Sequence, residues 1–514
     1  MHQNIADSAN RRSPLIKRTR TVMWAAMTVL CVMFSISAME FYFFLKLDIQ
    51  PSYGRLLAYL VSNAFAYGEG SGMISLRPHW MSMPEAHKIY LGIHTVLGGI
   101  CLIIGPFQFL PSLRRQRPTL HRRLGKVYVY LGMISMVFAV AYLIVTPMDK
   151  IFGGAPFALG LWGIAALSTY SFVAGIVHAT RNEIWEHRAL MMLNFCTLLI
   201  APMLRVWWIV LGRLFPDLNQ ADVHVAILMF LGAQSIVTAI LWTNAQRPWK
   251  TEKQKGERVR KNDTSRLTRF ALFLSGVLFL FGCALFYIQT LQYRFDTQAL
   301  YLFSDEAWQA VVRAQKRHQV IFWGTGLGAS LALVTFPLMA LVSDGAGRGG
   351  KKGLRFESWV IACFWGGAFC SAAGLLVQAY IFGMSWIRGW GGSVYLGTMG
   401  LVQLIFLMFA LRNAFIKNHR DVIEYGLHFV AVASAPITQF VLMWIFRSVG
   451  FGFDDAFLSG AVLSTSIHLS LSYYYTAYGP LHRCIKAPVR QPLYADGVSR
   501  PIRSWRDSSA KYAS

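Results

Sequence analysis

The sequence predicts an all-α integral membrane protein of about twelve transmembrane helices, in two six-helix halves related by a diverged parallel internal repeat. Three observations carry this reading. Of 514 residues, 55% are hydrophobic and only 14% charged, a balance suited to hydrocarbon and not to a soluble domain. Apolar stretches of roughly twenty residues, each long enough to cross a bilayer as a helix, recur along nearly the whole length. Lysines and arginines gather in alternate loops, as the positive-inside rule requires.

Taken in order, a basic tail (1–21) with Arg11, Arg12, Lys17, Arg18 and Arg20 precedes the first span, 22–46. Tail and span resemble a signal peptide, but the apolar run is too long and has no small-residue cleavage site, so it is expected to stay as the first helix. Spans 88–112, 125–147, 155–178, 189–212 and 222–244 complete a first half over 22–245, bounded by charged or Gly/Pro punctuation. A basic linker, 246–267, has no apolar periodicity and reads as a solvated connection. The second half, 268–478, has spans near 268–290, 318–342, 357–381, 394–412, 424–447 and 456–477, and a basic tail follows over 479–514. After each first helix an apolar and aromatic segment, Ser52 to Tyr67 and Thr297 to Arg317, is expected to lie along the interface.

The net charge of +25 reads as topology, with no call for nucleic acid. Loops 114–117, 181–188, 348–355 and 412–420 are basic, whereas 147–154, 214–222 and 449–455 are short and poor in Lys and Arg; 291–317 carries several cations on the opposite side. Both termini are therefore expected in the cytoplasm, with basic segments touching anionic lipid headgroups. Six of seven cysteines fall inside apolar spans, which argues against a disulfide framework. The sequon at Asn262 sits on the inner linker, where it is not expected to be glycosylated. No phosphate-binding glycine loop, zinc-spaced cysteine set, metalloprotease helix or nucleophile elbow is present.

The repeat shows in spacing. His87 stands nineteen residues before Pro106, and His318 nineteen before Pro337. Arg181-Asn182, His187-Arg188 and Ala201-Pro202 are echoed by Arg412-Asn413, His419-Arg420 and Ala435-Pro436. Divergence is equally visible, with Thr325 at the place of His94 and Gln439 near that of Arg205.

Ionisable residues at membrane depth are costly and mark candidate sites. Counting helical rises puts His94 and Arg205 together in the outer half of the bilayer. An inner level holds His121 with Arg122, His178, and His187 with Arg188. Imidazoles on different helices suit the two axial positions of a b-type haem, with arginines for its propionates. They equally suit a metal, a proton relay, or plain snorkelling at helix ends. Gly105-Pro106 is expected to break or end the second helix, and Gly98-Gly99 to permit close helix approach. His428 and His468 either define a separate site or hydrogen-bond between helices.

The stretch from His94 to Val129, HTVLGGICLIIGPFQFLPSLRRQRPTLHRRLGKVYV, resembles the bacterial membrane-protein family catalogued as domain of unknown function 2306. The resemblance rests on His94, Gly105, Pro106, Phe107, Gln108, Phe109, Pro118, His121, Arg122, Gly125 and Tyr128, then His187, Arg188 and Arg205, over roughly residues 85 to 215. It implies a bacterial inner membrane protein and no particular reaction. Three functions stay open: electron transfer through haem b or quinone at the first-half histidines, secondary transport of a small anionic or proton-coupled solute, and a noncatalytic scaffold or assembly role.

Overall fold

A computed structural model describes residues 14–44, 52–72, 83–245, 313, 317–345, 353–382, 391–415 and 419–478. Among these residues the secondary structure is helical throughout, with no strand. The helices are α1 (Pro14–Phe44), α2 (Ser52–Leu60), α3 (Asn63–Tyr67), α4 (Glu85–Gln108), α5 (Pro111–Gln116), α6 (Pro118–Val145), α7 (Gly154–Thr180), α8 (Ile184–Leu198), α9 (Ile200–Leu214) and α10 (Gln220–Ala245). Beyond residue 313 they are α11 (Gln319–Gly345), α12 (Gly353–Phe382), α13 (Gly391–Phe415), α14 (His419–Ser448) and α15 (Phe453–Tyr473).

Among the described residues nine helices are long and apolar enough to cross a membrane, ten if the bent pair α8–α9 is one span. The chain is thus a multi-pass helical membrane protein. The sequence predicts about twelve spans; of the two in excess, 268–290 lies outside the described residues and 456–477 falls on α15. That helix opens with Asp454 and Asp455 and buries Ser459, Ser464 and Thr465. Prolines at the first turns of α5 and α6 start those helices where a missing N–H costs nothing. The expected break at Gly105-Pro106 is a helix terminus, because α4 runs through both residues and ends at Gln108.

The described chain divides into two compact units whose limits cut through helices. The first takes in α1 to α6, α7 up to Phe172, α8 from Asn194, α9, and α10 up to Ser235. Within it α1 packs on α4, α4 on α6, and α9 touches α1 and α2. The small pair Gly98-Gly99 serves two of these approaches: Gly99 accepts from Ser35 Oγ on α1 at 3.0 Å, and Gly98 faces Ser135 on α6. A buried polar chain ties α6, α7 and α8. Tyr128 OH donates to Asn194 Oδ1 at 2.6 Å, and Asn194 Nδ2 donates to Ser171 Oγ at 3.0 Å. With each donor matched, the chain fixes register where apolar packing alone would permit sliding. The expected interfacial segment forms α2 and α3, joined at Ser62, whose hydroxyl caps Phe65 N at 3.0 Å. Leu57 and Phe65 from this segment pack with Leu204, Trp208, Val223 and Ile227.

The second unit takes in the remainder of α7, α8 and α10, together with α11, α12, α13 from Tyr395, α14 and α15. Here α11 packs on α12 and α14, and α14 on α15. Trp185 Nε1 donates to Ala477 O at 3.0 Å, and Tyr473 OH donates to Ala189 O at 2.9 Å. His428 and His468 join helices: His428 Nδ1 meets Ser472 Oγ at 2.9 Å, and His468 lies between Ser434 Oγ at 2.9 Å and Thr438 Oγ1 at 2.7 Å.

Candidate functional site

The polar focus of the first unit is Arg205 on α9. The span that carries it bends by 42° between α8 and α9. Pro202, three residues into α9, has no N–H, so the Leu198 carbonyl lacks its normal helical partner and the axis gives way at Leu199. Beyond the bend, the Arg205 guanidinium carbon stands 4.6 Å from the Trp208 ring centroid and 5.6 Å from that of Phe34. Aromatic faces attract a cation in surroundings that otherwise resist its charge. Tyr53 on α2 donates its hydroxyl to the Arg205 backbone carbonyl at 2.9 Å. Burial pushes the Tyr53 phenol well above its ordinary pKa, although the nearby Arg205 charge pulls the other way.

The histidine on which the Arg205 charge acts is His224, in the first turns of α10. Sequence reasoning passed over it, since one histidine near the end of an apolar span belongs to no motif. Its available signal was position: it follows Arg205 across the short hairpin 215–219. Its ring lies 4.2 Å from Phe157, 4.7 Å from Phe152 and 5.5 Å from Trp208, centroid to centroid.

His94, expected beside Arg205, is engaged from α6. Its Nδ1 lies 3.1 Å from the Ser135 carbonyl oxygen, while Ser135 Oγ donates to the His94 carbonyl at 2.9 Å. Ser135 Oγ also lies 2.9 Å from Nδ1, so this nitrogen faces a carbonyl that accepts and a hydroxyl that can donate, and the contacts fit either tautomer. His121, with exposed Arg122 beside it, lies on the first turn of α6. Ser135 is on the same helix about 21 Å of rise away, so His94 and His121 stand at two levels. Gly105 and Pro106 are buried in the last turn of α4, with Trp24 Nε1 donating to the Pro106 carbonyl at 3.3 Å.

The other expected residues lie in the second unit. His178 pairs through Nδ1 with Glu183 across the turn between α7 and α8, where Asn182 takes a φ of 57°. His187 Nδ1 donates to the Gly175 carbonyl at 2.9 Å, which leaves Nε2 of the neutral ring with the lone pair. Arg188 has its guanidinium carbon 6.0 Å from the Trp185 ring. Among the described residues no three His, Cys, Asp or Glu side chains gather as a metal set.

Fold and polar interior define a multi-pass membrane protein with ionisable groups held at depth. Residues 91–242 match the family described as "Predicted membrane protein (DUF2306)", a stretch that begins slightly later than the expected 85–215 and extends past its end into most of α10. Neither a curated protein nor a solved structure matches the chain.

Proposed function

We propose that the protein is a secondary transporter of a small anionic solute, with Arg205 as its binding residue. The observation behind this reading is the fifth span, bent by 42°, with an arginine just past the bend. Broken helices leave backbone polar groups at membrane depth, and such positions line solute pathways. An arginine there supplies a fixed positive charge in a fork that fits oxyanions. Two halves, 22–245 and 268–478, related by a diverged repeat, agree with such a transporter. In this reading the protein sits in the bacterial inner membrane, both termini on the cytoplasmic side with the basic loops.

Reconstitution into liposomes tests the reading, with uptake of radiolabelled chloride, phosphate, acetate and benzoate. Arg205→Gln is expected to lower uptake of the true substrate on the order of a hundredfold, because a charge-assisted contact contributes up to about 3 kcal/mol. Uptake no higher than in empty liposomes for every anion would sink the proposal.

A second reading is redox, through haem b or a quinone. It is favoured by His187, which holds Nδ1–H on a carbonyl as ligating histidines do, and by His94, whose Nδ1 is held by Ser135 on α6. One haem cannot take both His94 and His121, given the separation of their levels. Oxidised and dithionite-reduced spectra of purified protein test this: a stoichiometric b-type band lost in His94→Ala supports it, and a colourless folded protein overturns the haem form.

A further inference from the structure

His224 is 2% exposed, and among the described residues neither ring nitrogen has a hydrogen-bond partner. The Phe152 backbone acts on the ring without meeting hydrogen-bond geometry, and the charged group acting on it is Arg205. The loop before α7 is shaped around its edge. Gly153 has a φ of +94°, and a Cβ there would fall 2.8 Å from His224 Cδ2 and 3.2 Å from Nε2. That conformation and that closeness both demand glycine. An imidazole enclosed by three aromatic rings with nothing to bond is a cost to folding, and phenylalanine would fill the place without it. A costly polar group flanking the same indole as Arg205 is the mark of a residue kept for a ligand.

We infer that His224 contacts the ligand of the Arg205 site, and that this ligand is a monovalent carboxylate. The inference rests on the anion-site reading above. A carboxylate offers two acceptor oxygens, one for the guanidinium fork and one for the imidazole N–H. The aromatic surroundings select against phosphate or sulfate, whose strong hydration would be lost with too little charge in return. Such a carboxylate belongs either to a free organic acid or to a fatty acid from the bilayer.

The test is calorimetric titration of the full chain in nanodiscs with benzoate, laurate and inorganic phosphate, alongside thermal melts. Wild type is expected to bind benzoate or laurate and not phosphate; benzoate alone assigns a free acid, laurate alone a lipid acid. His224→Phe should melt at or above the wild-type temperature and bind the carboxylate at least tenfold more weakly, while His224→Gln, which keeps a donor, recovers part of the affinity. Wild-type affinity in His224→Phe overturns the inference, as does preference for phosphate or no carboxylate binding at all. If His224→Phe fails to fold, wild-type affinity in His224→Leu overturns it instead. Carboxylate binding lost in His224→Phe without any liposome uptake leaves the inference standing and removes the transport reading. Arg205-dependent uptake indifferent to His224→Phe does the reverse.

Discussion

Tyr53 and Gly105 show how much a single side chain decides here. The Tyr53 phenol keeps its proton in the folded chain at a pH where the unfolded chain loses it. The stability it contributes is therefore whole below about pH 10 and falls as pH rises further. Unfolding curves from pH 8 to 11 should show this alkaline decline in wild type and a shallower one in Tyr53→Phe, which gives up about 1 kcal/mol of hydrogen bonding at neutral pH. At Gly105 an added Cβ would overlap the Phe195 ring. Gly105→Ala should accordingly destabilise by about 1–3 kcal/mol, read as a lower melting temperature, even though alanine is the better helix former. Arg205 was legible in the sequence because a charge interrupts an apolar run. His224 was not, because what makes it unusual is a box built by Phe152, Phe157 and Trp208 from other parts of the chain.

At the scale of elements, apolar length alone located most helices, since hydrocarbon thickness imposes it on any sequence that crosses. Punctuation needs position as well. Gly105-Pro106, expected to break or end its helix, closes α4, whereas Ala201-Pro202 lies just past the bend between α8 and α9. A proline's effect depends on where its turn falls: near a helix end the lost hydrogen bond would be missing anyway, and in mid-span it is not. α14 keeps Pro436 within one continuous helix, so the motif by itself does not fix the outcome. Pro202→Ala restores the amide that the Leu198 carbonyl lacks. It should leave thermal stability equal or higher while reducing Arg205-dependent uptake several-fold; unchanged uptake would detach the bend from function.

For the whole molecule the testable quantity is sidedness. Arg115 lies on the short basic helix α5 before α6, and Asp149 in the cation-poor connection after it; both are exposed. In a background without the native cysteines, Asp149→Cys should react with a membrane-impermeant maleimide in intact cells, and Arg115→Cys only after permeabilisation. The opposite pattern would reverse the orientation. Loop charge is readable in one dimension because insertion counts charge near each helix end. Helix partners are not, since small residues and hydrogen bonds between distant segments choose them.

The bond from Trp185 to the Ala477 carbonyl joins groups 292 residues apart, and this separation sets a clock. At about 5–20 residues per second, a ribosome needs roughly 15–60 s after making Trp185 to make its acceptor. Throughout that interval α8 must do without the bonds that Tyr473 and the Ala477 carbonyl supply. The bonds that seal the start of α8 are thus among the last the nascent chain can form. A ribosome that stops short of residue 473 releases a polypeptide that can form neither bond.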